Sequence, residues 1–289
     1  MRKAISTGIC VVLVIAAFGC SGKADRAINQ LDSPSSRVRL SAAAYLSFHD
    51  KDPQTVQKLI GLLDSGNEQR VFIAAQILGE REDPAAVVPL GKLTAHPNPN
   101  IRDRAIQSLG MINAGPAALY ILAALSDTSA VVRKTAVKMI YLTGYTAGVE
   151  NVLKLTGDPS EDVRAEVVHT LYRLRDVPEA DIRAEYFEPA IGDASELVRY
   201  VAVQALDHTY PDKTKSASLL MRAFEDKSKN VRAEAAKSIG KIRYAAAIPR
   251  FKKVHDYEEY DVQIAISEAI KSMTGEDFPD FKAMLNMKK

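Results

Sequence analysis

The chain has 289 residues, enough for one large domain or two ordinary ones. Apolar residues make up 47% and charged residues 26%, with 15 Gly and 13 Pro, which excludes a disordered or collagen-like chain. A formal net charge of +2 argues for neither a polyanion nor a polycation partner, and two cysteines leave no disulfide framework and no cysteine metal cluster.

Residues 1–20 read MRKAISTGICVVLVIAAFGC. Arg2 and Lys3 make a positive start and Ile9 to Phe18 an apolar run, with the small residues Ala17 and Gly19 just before Cys20. This is the layout of a secretory signal peptide. Such a run rises only ~15 Å as a helix, about half the bilayer core, so a permanent transmembrane anchor is not expected. With a cysteine directly after the small residues, the stretch resembles a bacterial lipobox, whose cysteine is acylated and becomes the mature N-terminus. That family usually has Leu where this chain has Ala17 and a small residue where it has Phe18. Ordinary cleavage after Gly19 would instead leave Cys20 as a free thiol, a liability in an oxidising compartment. Cys10 leaves with the signal peptide. The expected organisation is a signal peptide at 1–19, a lipidated cysteine and short tether at 20–27, and a repeat domain at 28–289. Residues 1–19 hold two basic and no acidic residues, so the mature chain carries 36 basic residues, 38 less those two, against 36 acidic. Nucleic-acid binding has no global electrostatic support.

The rest repeats a pattern: an aliphatic residue, Arg, two residues, Ala, three residues, then Leu or Ile. It starts at Val38, Arg70, Ile101, Val132, Val163, Val198, Val231 and Val262, at spacings of 32, 31, 31, 31, 35, 33 and 31 residues. Offsets 0, 4 and 8 share one helix face, so each unit is predicted to open with a first helix carrying a buried stripe. Second helices are predicted over Pro53–Leu63, Pro84–Leu93, Pro116–Leu125, Gly148–Leu155, Ala180–Ile191, Ser216–Phe224, Ala245–Val254 and Phe278–Met287, several opened by a Pro suited to a first turn. Ala27, Ile28 and Leu31 read as an N-terminal half-unit, and Phe278, Phe281, Met284 and Leu285 as the last helix, with Lys288 and Lys289 in solvent. Asp127, Asp158, Asp193 and Asp226 each precede a first helix and are expected to cap its N–H groups.

This column pattern resembles the short bacterial HEAT repeats of about thirty residues, over residues 28–289. The resemblance implies an all-α fold, an α-solenoid of about eight helix pairs. Stacked at ~10 Å per layer they would make a rod or arc of roughly 80 Å. It also implies that Arg102, Arg133, Arg164, Arg199 and Arg232 form a structural ladder with Asp127, Asp158, Asp193 and Asp226, each Arg beside the Asp that closes the previous unit. Bidentate Arg–carboxylate geometry suits that role better than phosphate binding.

No chemistry-bearing motif stands out. The five histidines, His49, His96, His169, His208 and His255, have no zinc-site spacing and read as surface or supporting residues. Nucleotide-loop, nucleophile-elbow and EF-hand patterns are not found, and the carboxylates read as solvated helix faces. Neither catalytic residues, a cofactor nor a metal is expected. Of 19 Phe and Tyr residues, 14 lie at or after Tyr141. Tyr141 and Tyr172 share the column where Gly79, Gly110 and Gly240 stand in other units as apparent turn glycines, and Tyr145 follows a turn later. The three tyrosines form a candidate interface ridge, or pack between layers. The longer spacings place inserts at Asp176–Arg183 and His208–Lys215, either loops on a binding face or tolerated surface length.

The expected function is a non-enzymatic, membrane-tethered scaffold that binds another protein along the solenoid surface. Ser21 follows the cysteine where Asp commonly marks inner-membrane retention, so the resemblance implies an outer-membrane lipoprotein facing the periplasm. The alternatives are a soluble periplasmic binder of peptide or glycan and, against the export signal, an enzyme subunit resembling the HEAT-repeat bilin lyases.

Overall fold

The structure, a computed structural model, describes residues 22–50, 52–207 and 213–278. The signal segment, Cys20, Ser21, Phe281, Met284, Leu285, Lys288, Lys289 and His208 therefore lie outside the described residues. The described residues are helices and turns throughout, without a strand. They divide into two compact units, Met1–Thr143 and Gly144–Lys289.

In the first unit, α1 spans residues 22–30. It begins inside the expected tether, so residues 22–27 are helical, and it buries Ala24, Ala27 and, just beyond its end, Leu31. Then come α2 (Ser36–Ala44), closed by a π turn at Tyr45–His49, α3 (Pro53–Leu62), α4 (Glu68–Glu80), α5 (Val87–Leu93), α6 (Pro99–Ile112), α7 (Ala117–Ala124) and α8 (Ala130–Leu142). Three of these helices, α3, α4 and α6, start where the chain supplies a side-chain acceptor for free N–H groups. Asp52 accepts from Gln54 N, Asn67 from Gln69 N and Arg70 N, and Asn98 from Asn100 N, with Pro53 and Pro99 in the first turns. Arg81 closes the first layer. Its Nη1 donates to the Leu46 and Asp50 carbonyls at 2.6 and 2.8 Å, meeting acceptors the π turn leaves open.

The second unit holds α9 (Val149–Leu153), α10 (Glu161–Leu174), α11 (Glu188–Ile191), α12 (Glu196–Ala205), α13 (Lys213–Ala223), α14 (Lys229–Lys241), α15 (Ile248–Val254) and α16 (Tyr260–Thr274). The predicted second helix Ala180–Ile191 is mostly not α-helix. Asp181 sits at φ 44°, ending a 3-10 turn at Pro178–Ala180, and regular helix resumes only at Glu188. Nor is the Asp176–Arg183 insert a free loop, because Ala180 and Ile182 are buried in the core. Of the other insert, only Lys213–Lys215 is described, and it opens α13.

Within each unit the first helices stack on one another, α4, α6 and α8 in one and α10, α12, α14 and α16 in the other, with second helices behind them. The aliphatic columns form the core. Leu46, Leu78, Leu109 and Ile140, and Leu171, Leu206, Ile239 and Ile270, are all buried. Gly79, Gly110 and Gly240 are not turn glycines. They lie inside α4, α6 and α14, where the next first helix comes close: a Cβ on Gly79 would stand 2.7 Å from Ser108 Cα, and one on Gly240 2.8 Å from Ala269 Cα. Ser108 Oγ uses that approach to donate to Ala75 O at 2.8 Å.

Candidate partner-binding face

The Arg and Asp columns meet as a ladder, but the charge pairing runs forward. Arg102 Nε and Nη2 each reach Asp127 at 2.7 Å, Arg164 reaches Asp193 at 2.6 and 2.8 Å, and Arg199 reaches Asp226 at 2.6 and 3.0 Å. Each Arg thus grips the Asp ahead of the next first helix. Toward the previous Asp it donates to the backbone: Arg133 Nη1 reaches Asp127 O at 2.8 Å, Arg164 Asp158 O at 2.7 Å, Arg199 Asp193 O at 2.9 Å and Arg232 Asp226 O at 2.9 Å. Arg232 ends the series on Glu258 and Glu259. The Asp side chains bind one residue before the helix proper, accepting the N–H of Ser129, Ser160, Ser195 and Ser228 at 2.7–2.8 Å. They set the entering turn.

Burial pushes the Asp127 and Asp193 carboxyls up, but the hydrogen bonds from their Arg partners and following Ser N–H groups hold both below the usual carboxylate range. The paired guanidiniums of Arg102, Arg164 and Arg199 rise for the same reason, led by the hydrogen bond to the Asp. With both ends of the Arg102, Arg164 and Arg199 rungs committed, these rungs hold layers together and present no free guanidinium fork to a phosphate.

In each unit, grooves open on the face made by its own first helices. One lies between α4 and α6, lined by Phe72, Asn98 and Asp103. Above it the Arg104 guanidinium stacks on the Phe72 ring at 4.4 Å, and burial pulls that guanidinium down despite Asp103 and Glu80. A second, between α6 and α8, has Met111, Leu142 and Lys138 on its walls. In the other unit, one groove runs beside α10 and α12 with His169, Tyr172 and Gln204, and another lies between α12, α14 and the start of α16 with Leu197, Tyr200 and Glu234. Each is built by neighbouring layers, so spacing between layers sets its width.

The HEAT-repeat profile matches residues 72–129, 120–183 and 184–271, most of the chain. The chain belongs to the HEAT-repeat family. Among solved structures, it resembles the Escherichia coli protein YibA at 20% identity and a TM-score of 0.62, over 96% of this chain and 99% of that one. An engineered protein matches at 19% identity and a TM-score of 0.51, over 95% of this chain and 84% of that one. The complex of CpcE and CpcF of phycocyanin lyase from Nostoc follows at 19% identity, over 86% and 94%, with a TM-score of 0.44, too low to carry an argument. No curated protein matches the sequence.

In this HEAT-repeat protein the expected interface tyrosines fall in both units. Tyr141 lies in the last turn of α8, whereas Tyr145 and Tyr172 belong to the second unit, and all three are half-buried. Tyr172 lines a groove, but the Arg175 guanidinium covers one face of its ring at 3.8 Å. Of the two alternatives for the histidines, His255 takes the supporting one: it is 1% exposed, with Nδ1 at 2.8 Å from Asp256 and Nε2 at 3.2 Å from Ser267 Oγ. One carboxylate departs from the sequence reading. Glu234, expected on a solvated face, is 8% exposed. Its position three residues past the anchor gives no sequence signal, because it is the layer packing that buries it. Among the described residues no group of three or more His, Cys, Asp or Glu is placed to hold a metal ion, and no helix is long and apolar enough to cross a membrane.

Proposed function

We propose that this HEAT-repeat protein is a non-enzymatic scaffold, tethered to a membrane through a lipid on Cys20, whose first-helix face holds another protein. The observation that carries the reading is that, in each unit, grooves on the first-helix face are walled by side chains from neighbouring layers. A ladder that commits its Arg and Asp side chains internally keeps the layers at fixed spacing, as a preformed binding surface requires. Tyr172 stands in one of these grooves, and Tyr141 and Tyr145 remain the other two candidate contact residues. The signal-like start supports export, and Ser21 after Cys20, where Asp commonly marks inner-membrane retention, supports the outer membrane, facing the periplasm, as the address.

Two experiments test this. Labelled fatty acid is expected on the wild type, and Cys20→Ala is expected to lose the label and move to the soluble fraction. Retention of the variant in membranes, with no label on the wild type, refutes the anchor. Photo-crosslinkers at Lys138 and Gln204, exposed on first helices, are expected to trap one common partner, while crosslinkers at Lys92 and Lys252 on second helices trap none. The opposite pattern refutes the choice of face.

A further inference from the structure

We propose that the groove between α12 and α14 binds a basic side chain, arginine before lysine, of the partner polypeptide. This deepens the reading of the first-helix face as a protein-binding surface and rests on it.

The starting point is Glu234. A carboxylate this deeply buried is normally matched by a counter-ion or by several hydrogen bonds, because desolvating a charge without compensation is costly. Among the described residues Glu234 has neither. Its Oε2 lies 3.4 Å from the Tyr200 hydroxyl, too long for a good O–H···O bond, and with the described residues it makes no other hydrogen bond or ion pair. Lys241, which it influences at longer range, is committed to Asp207 at 2.6 Å. Burial, then the Glu234 charge, pushes the Tyr200 hydroxyl up, so the pair offers an incoming cation a carboxylate and a neutral phenol.

The rest of the groove suits such a guest. Glu196 stands on the opposite wall, fixed by Ser228 Oγ and Asn230 Nδ2, which donate to its Oε1 at 2.7 and 2.9 Å. Asp261 stands at the rim, in an open ion pair with Lys229 at 3.1 Å. The groove is therefore lined by three carboxylates against one lining ammonium, Lys237, which is exposed and free to swing into solvent. Ala233, the Tyr200 ring and Leu197, 49% exposed, supply an apolar wall. A metal ion is a poor match, since no ligand group of the required size is placed here. Phosphate-bearing polymers are opposed by the carboxylates. A guanidinium matches: its planar fork can meet Glu234 and Glu196, its flat face can lie on the Tyr200 ring, and its methylenes and an apolar neighbour in the guest can cover Leu197.

The test uses the full chain and a fluorescein-labelled peptide, Gly-Leu-Arg-Leu-Gly, beside the same peptide with citrulline, the neutral isostere of arginine. Saturable binding of the arginine peptide is expected, at least tenfold weaker for citrulline and weakened by salt. Glu234→Gln is expected to lower affinity for the arginine peptide at least tenfold while its Tm is no lower than wild type, and Asp261→Asn, at the open rim, to lower it only a few fold. Equal binding of arginine and citrulline peptides by the wild type overturns the proposal, whatever the variants do. So does a well-folded Glu234→Gln protein with unchanged affinity. Spermidine competing as tightly as the peptide would make this a polyamine site, and competition by unlabelled protein with self-association would make the occupant a second copy; either result overturns the assignment. If the Lys138 and Gln204 crosslinkers trap the partner while arginine and citrulline are not distinguished, only this groove assignment fails. If they trap nothing, the face itself was wrongly chosen.

Discussion

Asp193 shows how much one residue of the repeat does. Its two carboxylate oxygens take the Arg164 fork and the Ser195 N–H, and its carbonyl takes Arg199. Removing the carboxylate strands a guanidinium that is mostly buried, so Asp193→Ala is expected to cost on the order of 3 kcal/mol in chemical denaturation. The pH dependence follows from the sign of the shift. A carboxyl held below its ordinary value contributes stability that is fully present above about pH 4 and is lost as the pH falls toward the lowered folded-state value. Tm is therefore expected to drop on acidification below about pH 4, and Asp193→Asn to flatten that drop; an unchanged acid limb would mean the rung contributes nothing. The residues of the ladder were legible in sequence because they recur in columns. Its forward direction was not, because an Arg near the start of a helix is close in sequence to the Asp behind it and close in space to the Asp ahead. Glu234 was illegible for a related reason: burial that comes from an adjacent layer leaves no mark in the periodicity of its own helix.

At the level of elements, the frame of first and second helices follows from offsets 0, 4 and 8 and from the Pro and Asp or Asn residues at helix starts. The exception is the unit with Asp176–Arg183, where a left-handed Asp181 and extra buried residues replace a regular helix. The glycine column gives a sharper test, because the same substitution meets different neighbours. In a helix interior Ala is favoured over Gly by up to about 1 kcal/mol, so a site with room gains from the change. At Gly110 the added Cβ meets the Met139 thioether, a flexible side chain that can turn aside. At Gly79 and Gly240 it meets backbone Cα atoms of the next helix, which can give way only if the layers part. Gly79→Ala and Gly240→Ala are expected to lose roughly 1–3 kcal/mol, and Gly110→Ala to stay within about 0.5 kcal/mol of the wild type. Equal effects at all three would mean that layer spacing is not fixed at these positions. Tyr172 occupies the same column in α10, so the groove beside it is set by an aromatic ring where other layers have contact between backbones.

Over the whole molecule, what matters is that each layer packs mainly on its neighbours, with contacts between first helices adjacent in the stack in both compact units. A protein built this way has stability that is roughly a sum over layers and their interfaces, so damage should spread to nearest layers before it reaches distant ones. Leu109 in α6 and Ile239 in α14 are both fully buried, one in each unit, and have the same role in their layers. Truncation to Ala at either position should cost on the order of 2–5 kcal/mol locally. Hydrogen exchange separates a layered protein from one that unfolds as a whole. Leu109→Ala is expected to speed exchange in α4, α6 and α8 by a factor of ten or more while amides of α14 and α16 keep wild-type protection, and Ile239→Ala to do the reverse. If either change lowers protection uniformly from α4 to α16, the layers form one cooperative block. A partner bound to one layer would then be felt in every layer; with local unfolding, it stabilises only the layers it touches.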